Sequence, residues 1–314
     1  MALGLVFVNF IVGEEKNLTK VAIVTDGSCD LPKELVEKYN IFVVPFQVVI
    51  GSKAYKMYGD FGTISKDEFY NIIENTKELP TTSVPAPKSF YDTYQTALKS
   101  AESVIGIFLS KNLSSTFQNA LLVLNMLEES DVTVIDSQVA ASTLGLLVIE
   151  AAKMAQEEAS KEEIMKRLEF LIPQARLVGI MDNVEATYRS GRIGWGKKFL
   201  VDKLQMKPIV NFRNGYIVSG GTIRGGREEI IKRMKSLAPH ITKHAITDTI
   251  FIWHVRCAGD AEMLKNIMEE SNYDCRNLIV QEAGPVIGTH VGKNALAYMY
   301  IGRYNNHWLK RKRK

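Results

Sequence analysis

The sequence predicts an α/β protein built in two parts, and three observations carry that expectation. Short apolar runs alternate with stretches of helical period through the first half of the chain, the pattern of a parallel sheet crossed by helices. Several of those runs end in polar clusters, where an open α/β sheet collects its ligands at the carboxyl ends of its strands. At 314 residues the chain also exceeds the length at which one hydrophobic core usually stops growing.

Residues 1–19 read as an extension, because Leu3 to Val12 is apolar but has no basic residue before it and is too short to cross a bilayer. Val21-Ala22-Ile23-Val24-Thr25-Asp26 is the first strand, and Leu31 to Tyr39 is a helix with Pro32 near its start. Ile41 to Ile50 reads as a single second strand, followed by a helix over Ser65 to Glu74 that Ser65 caps. In the loop Leu79 to Pro87, Pro85 and Pro87 forbid a helix and hold the backbone extended. Phe90 to Ala101 is amphipathic, Ser103 to Ser110 is a buried strand and Ala120 to Leu127 is a helix. Val132 to Ser137 makes another strand and Ala140 to Ala159 a helix of small residues. Ser160-Lys161-Glu162-Glu163 opens the helix Ile164 to Leu171 as a capping box, and Pro173 breaks it. Shorter elements follow: Leu177 to Met181, Lys207 to Val210, Tyr216 to Val218, Glu228 to Ala238, Thr249 to His254, Ala261 to Glu270 and Leu278 to Glu282. The expected organisation is an N-terminal α/β domain over 20–173, a C-terminal α/β domain over 174–304 and a basic tail over 305–314.

The formal charge of +4 invites a nucleic-acid partner, but Lys310 to Lys314 alone carry five positive charges. The body is near neutral and lacks the basic surface that phosphate binding needs, so nucleic acid is excluded as a partner. Cys29, Cys257 and Cys275 are too few and too scattered for a disulfide framework or a metal site, which leaves free thiols in a reducing cytoplasm.

Hydroxyls recur at turn after turn: Asp26-Gly27-Ser28, Thr81-Thr82-Ser83, Ser114-Ser115-Thr116 and Asp136-Ser137. Ser114, Ser115 and Thr116 stand on a strand-to-helix turn, where free amides and hydroxyls suit an oxyanion such as a carboxylate or phosphate. The same residues would also serve as an ordinary N-cap. Gly284-Pro285-Val286-Ile287-Gly288-Thr289-His290-Val291-Gly292 sets an imidazole among glycines that permit close backbone approach. Arg189, Arg192, Arg224 and Arg227 lie beside glycines and could grip an anion or an acidic partner face. His240 and His244 are one helical turn apart, but a third metal ligand is not evident. No P-loop, dinucleotide fingerprint, nucleophile elbow or zinc-protease motif is present.

Taken in order, Val21 to Asp26, Val44-Pro45, Thr82-Ser83-Val84-Pro85, Leu113 to Ala120, Asp136-Ser137, Gly191-Arg192, Lys207-Pro208 and Gly284 to Gly292 resemble the DegV family over roughly Val21 to Tyr300. The resemblance implies two α/β domains with a long-chain fatty acid buried between them and no other cofactor. Its FakB-like members present that fatty acid to a separate fatty acid kinase, which phosphorylates the carboxylate for bacterial phospholipid synthesis. Carried over, Thr82 and Ser114 hold the carboxylate with their neighbours Ser83 and Ser115, and His290 with Thr289 joins the network. Arg192 and Arg224 match arginines near the head group or the kinase-facing surface. The chain departs from the family pattern at Gly27, Val84, Ser115, Ser190 and Lys293-Asn294, and Lys293 sets a charge beside the histidine.

The expected role is therefore non-catalytic fatty acid binding. A competing expectation is a hydrolase or phosphotransferase using Asp26, Ser114 and His290. The tail from Arg303 to Lys314, with Tyr304 and Trp308, also suits a transient contact with an anionic membrane surface.

Overall fold

The computed structural model describes residues 18–76, 79–127, 130–196, 206–270 and 277–309. The first unit contains β1 (Thr19–Asp26), α1 (Lys33–Lys38), β2 (Phe42–Val44), β3 (Phe46–Ile50), β4 (Lys53–Met57), α2 (Lys66–Asn75), β5 (Thr81–Ser83), α3 (Pro87–Leu98), β6 (Ala101–Phe108), α4 (Thr116–Leu124), β7 (Val132–Asp136), α5 (Ala141–Gln156) and α6 (Lys161–Leu171). The second contains β8 (Ala175–Ile180), α7 (Glu185–Arg189), β9 (Met206–Arg213), β10 (Tyr216–Arg224), α8 (Arg227–His244), β11 (Thr249–His254), α9 (Ala258–Glu270), β12 (Asn277–Glu282), α10 (Pro285–Gly288) and β13 (Leu296–Ile301).

Three sheets form. The first, in the order β2-β1-β6-β7, is wholly parallel, as the strand and helix alternation requires. The second runs β10-β9-β8-β13-β11-β12 and is antiparallel except at β11 with β12. The third, β4-β3-β5, is a small antiparallel sheet. It overturns the expectation of one strand from Ile41 to Ile50. Pro45 has no N–H to continue a ladder, so the chain leaves the first sheet there and re-enters as β3 in another.

Between the first two sheets lies α5, which packs on β1 and β6 on one side and on β8, β11 and β13 on the other. Twelve of its 16 residues are buried, as expected of a helix apolar all round. Gly145 lets it approach the first unit closely, since a Cβ there would stand 2.6 Å from Leu31 Cδ2. One hydrophobic core is thus continuous from Val21 on β1 to Ile301 on β13. Ser65 and Ser160 cap their helices as expected, the second as a full capping box. The helix begun at Arg227 does not stop before Pro239 but runs through it to His244.

Candidate functional site

A cavity of about 130 Å³ lies against one face of the second sheet. Its floor follows from strand register. Trp253, Ala297, Gly179 and Val210 stand side by side across β11, β13, β8 and β9, and all four line the cavity. The small residues at the centre of that row leave the space. Leu109, Leu113, Ala140 and Ala141 close it from the first unit. The wall is apolar except for Ser28, Thr82, Ser114, Thr187, Asn211, Arg192, His290 and the indole of Trp253.

One strand and three turns far apart in sequence bring the polar residues there. Thr82 arrives on β5, Ser114 on the turn between β6 and α4, Arg192 on the turn after α7, and His290 on the turn after α10. Thr82 Oγ1 and His290 Nε2 are 2.8 Å apart, and Ser114 Oγ is 2.8 Å from Thr116 Oγ1. Burial, reinforced by the nearby Arg192 charge, pushes the His290 imidazole down to about 4, so it is neutral near pH 7. Its Nδ1 is buried without a hydrogen-bond partner among the described residues.

Arg192 is half-buried and is the one charged side chain on the wall among the described residues. Its Nη1 donates to the Ser190 carbonyl, and among the described residues no carboxylate lies within ion-pair reach. Burial lowers its pKa from the ordinary arginine value.

The remaining expected site residues stand elsewhere. Ser83 and Ser115 are exposed and do not line the cavity. The Thr289 hydroxyl donates to the Pro285 carbonyl at 2.8 Å, closing the end of α10 rather than facing a ligand. Arg224 is exposed at the end of β10, off the cavity wall and bordering a separate surface groove, a place that leaves its expected part in a kinase-facing surface open. The Lys293 charge is engaged by Glu74 at 2.9 Å.

Asp26, Ser114 and His290 do not assemble into a catalytic group. Asp26 is fully buried, off the cavity wall, and accepts from the Ser28 and Leu109 amides at 2.9 and 2.8 Å and from the Ser28 hydroxyl. It ties the end of β1 to the end of β6. Ser114 and His290 each pair with a threonine rather than with one another.

His240 and His244 pack their rings against Trp308, both with centroids 4.9 Å away, instead of converging on a metal. No metal-binding cluster occurs among the described residues. Trp308 and Tyr304 are therefore half-buried parts of the fold and not a free aromatic anchor, and Lys310 to Lys314 lie outside the described residues. No described helix is long and apolar enough to cross a membrane. Cys29 and Cys257 are free thiols, and Cys275 lies outside the described residues.

The family profile described as "Uncharacterised protein, DegV family" matches residues 20–303. The chain belongs to the DegV family. A DegV domain-containing protein of Caldanaerobacter subterraneus is 33% identical over 289 residues, covering 90% of this chain and 99% of the relative. The DegV protein of Bacillus subtilis is 31% identical over 279 residues, covering 88% and 97%. Among solved structures, the fatty-acid-binding DegV family protein of Thermus thermophilus superposes with a TM-score of 0.77 at 28% identity, covering 90% of this chain and all of the other. The crystal structure of DegV from Bacillus subtilis, a fatty acid binding protein, gives 0.78 at 29% identity, covering 91% and 100%. The present DegV family chain thus shares their α/β architecture along nearly its whole length.

Three polar wall residues, Thr187, Asn211 and Trp253, were not among the expected site residues. Thr187 sits on a five-residue helix that carries no periodic signal, and Asn211 lies in a strand, where a polar side chain ordinarily marks a solvent face.

Proposed function

We propose that this DegV family protein binds a long-chain fatty acid between an N-terminal domain over 20–173 and a C-terminal domain over 174–304. The acyl chain enters the apolar cavity, which at about 130 Å³ has room for a group of benzene's size and must widen to take a long chain, and Thr82, Ser114, His290 and Arg192 hold the carboxylate. The observation that carries this reading is the half-buried Arg192 guanidinium, the one charged side chain on a largely apolar wall among the described residues, with no carboxylate beside it among them. An uncompensated charge in such a place favours an anion, and apolar walls favour an anion with a hydrocarbon tail. Each buried methylene contributes roughly 0.8 kcal/mol, so a chain of about sixteen carbons supplies most of a tight affinity, less its ordering cost.

Native mass spectrometry of the purified protein, followed by organic extraction, tests the ligand. A fatty acid near stoichiometric amount is the expected result. An empty protein that also takes up no added fatty acid would overturn the reading. Thr82→Val and Ser114→Ala should each weaken palmitate binding by roughly 1–3 kcal/mol, because each removes a donor from a buried carboxylate. Unchanged affinity in both variants, read by titration of the delipidated protein, would move the head group elsewhere.

We also propose that the bound carboxylate is presented, in the cytoplasm, to a separate fatty acid kinase. The reading is supported by the family resemblance and by a site in which neither Ser114 nor His290 has a base or carboxylate partner. The loaded protein should form no acyl phosphate with ATP alone and should form it when a fatty acid kinase is added. Turnover with ATP alone would favour an enzyme instead.

A further inference from the structure

We propose that Thr187 is a further ligand-binding residue, its hydroxyl donating to the same carboxylate that Arg192 attracts. The proposal rests on the fatty acid reading above. Thr187 lies in the middle of α7, is 1% exposed, lines the cavity, and its hydroxyl has no hydrogen-bond partner among the described residues. A helical threonine ordinarily returns its hydroxyl to a carbonyl one turn earlier. Thr93, Thr96 and Thr242 do so in this chain, reaching the Ser89, Asp92 and Ala238 carbonyls at 2.8, 2.7 and 2.9 Å. Thr143 on α5 also lacks a partner, but it does not line the cavity. Thr187 alone combines an unspent helical hydroxyl with a place on the ligand wall.

Its position relative to the guanidinium is fixed through Ser190. The Ser190 hydroxyl donates to the Thr187 carbonyl at 2.8 Å, and the Ser190 carbonyl in turn accepts from Arg192 Nη1. Both residues line the same cavity from one short segment, so the hydroxyl and the charged group belong to one small lobe. That lobe reaches the histidine turn: Val184 and Ile193, on either side of Thr187 in sequence, pack in one cluster with Val291, which follows His290.

The stoichiometry of donors agrees. A carboxylate offers about four acceptor sites on its two oxygens. Thr82 and His290 already share one hydrogen bond and the Ser114 hydroxyl is shared with Thr116, so neither pair can satisfy the anion unaided. Arg192 and Thr187 supply the missing donors. A hydrogen bond to an ionised acceptor is roughly twice as strong as a neutral one, so Thr187 would favour a carboxylate over a neutral head group on the same tail.

The test titrates palmitate, hexadecanol and a hydroxylated stearate into delipidated wild type, Thr187→Val and Thr187→Ser. Valine keeps the shape and removes the hydroxyl, and serine restores the hydroxyl. The expected result is that Thr187→Val weakens palmitate about tenfold while hexadecanol changes far less, and that Thr187→Ser recovers most of the palmitate affinity. Palmitate affinity unchanged in Thr187→Val would overturn the proposal. Equal weakening of both ligands would make Thr187 a packing residue and overturn it as well. A third overturning result is a loss confined to a hydroxylated stearate, which would assign the hydroxyl to an oxygen on the acyl chain. Failure of the wild type to bind palmitate at all would instead bring down the fatty acid reading and this proposal with it.

Discussion

Arg192→Gln is expected to lower palmitate affinity by about tenfold to a hundredfold while leaving thermal stability level or raised. The two halves of that result have one cause. Hydrogen bonds to charged groups contribute roughly 1.5–3 kcal/mol, and each 1.4 kcal/mol is a factor of ten in affinity. Among the described residues the guanidinium has only the Ser190 carbonyl for a partner, and burial holds its pKa below the ordinary arginine value. A charge kept half out of water without a counter-ion costs folding stability, and glutamine removes that cost with the ligand's anchor. Calorimetric titration and a thermal melt of the same delipidated sample read both quantities. A parallel fall in affinity and melting temperature would mean that Arg192 organises the turn after α7 rather than the ligand. Unchanged affinity would mean that the carboxylate binds elsewhere.

This opposition between binding and stability runs through the whole site. Thr187 Oγ1 and His290 Nδ1 are polar atoms buried without hydrogen-bond partners among the described residues, and both residues lie on the cavity wall. A polar atom buried without a hydrogen bond is unfavourable, so its retention on a ligand-facing wall is most simply understood as donor or acceptor capacity held for the occupant. Gly179 and Ala297, small at the centre of a sheet, add the matching feature on the apolar side.

Much of this was legible in the sequence, and the reasons differ by element. The parallel sheet could be read because β1 and β6 are runs buried on both faces and bounded by turns. Ser114 and His290 could be read because each sits in a dense local cluster of hydroxyls or glycines. The hairpin of β3 and β4 could not. Lys53-Ala54-Tyr55-Lys56-Met57 is charged and largely exposed, and its place is set by pairing with β3 across the Gly51-Ser52 turn. Nor was β13 recognised, although all six residues are buried, because a short apolar run without alternation can be strand or helix. The Lys293 charge, adjacent to His290 in sequence, is taken up by Glu74 from α2, a contact that local reading has no means to find.

Asp30→Ala is expected to lower folding stability by about 3 kcal/mol near pH 6, by less as pH rises, and to weaken palmitate binding with it. Asp30 is fully buried, with its Oδ2 accepting from Trp253 Nε1 at 2.9 Å and its Oδ1 from the Gly284 amide at 3.0 Å. It therefore fastens the first unit to the cavity floor through Trp253, and to the chain leading into α10 and His290 through Gly284. Gly284 must be glycine for this contact, since a Cβ there would stand 2.7 Å from Asp30 Oδ1. Alanine at position 30 leaves two buried N–H groups without acceptors, each costing roughly 1–3 kcal/mol. The pH dependence follows from the carboxyl itself. Burial, chiefly, pushes Asp30 up to about 8 in the folded protein, against an ordinary value of 3.8. Between those values the folded state holds one proton more at this site than the unfolded state does, so raising the pH destabilises the fold. The contribution is complete below the unfolded pKa and is lost as pH climbs through about 8. Urea unfolding of wild type and variant near pH 6 and near pH 9 should thus show the gap between them shrinking. A gap that widens with pH would mean that the two N–H donors hold the carboxyl ionised, and that burial does not govern it.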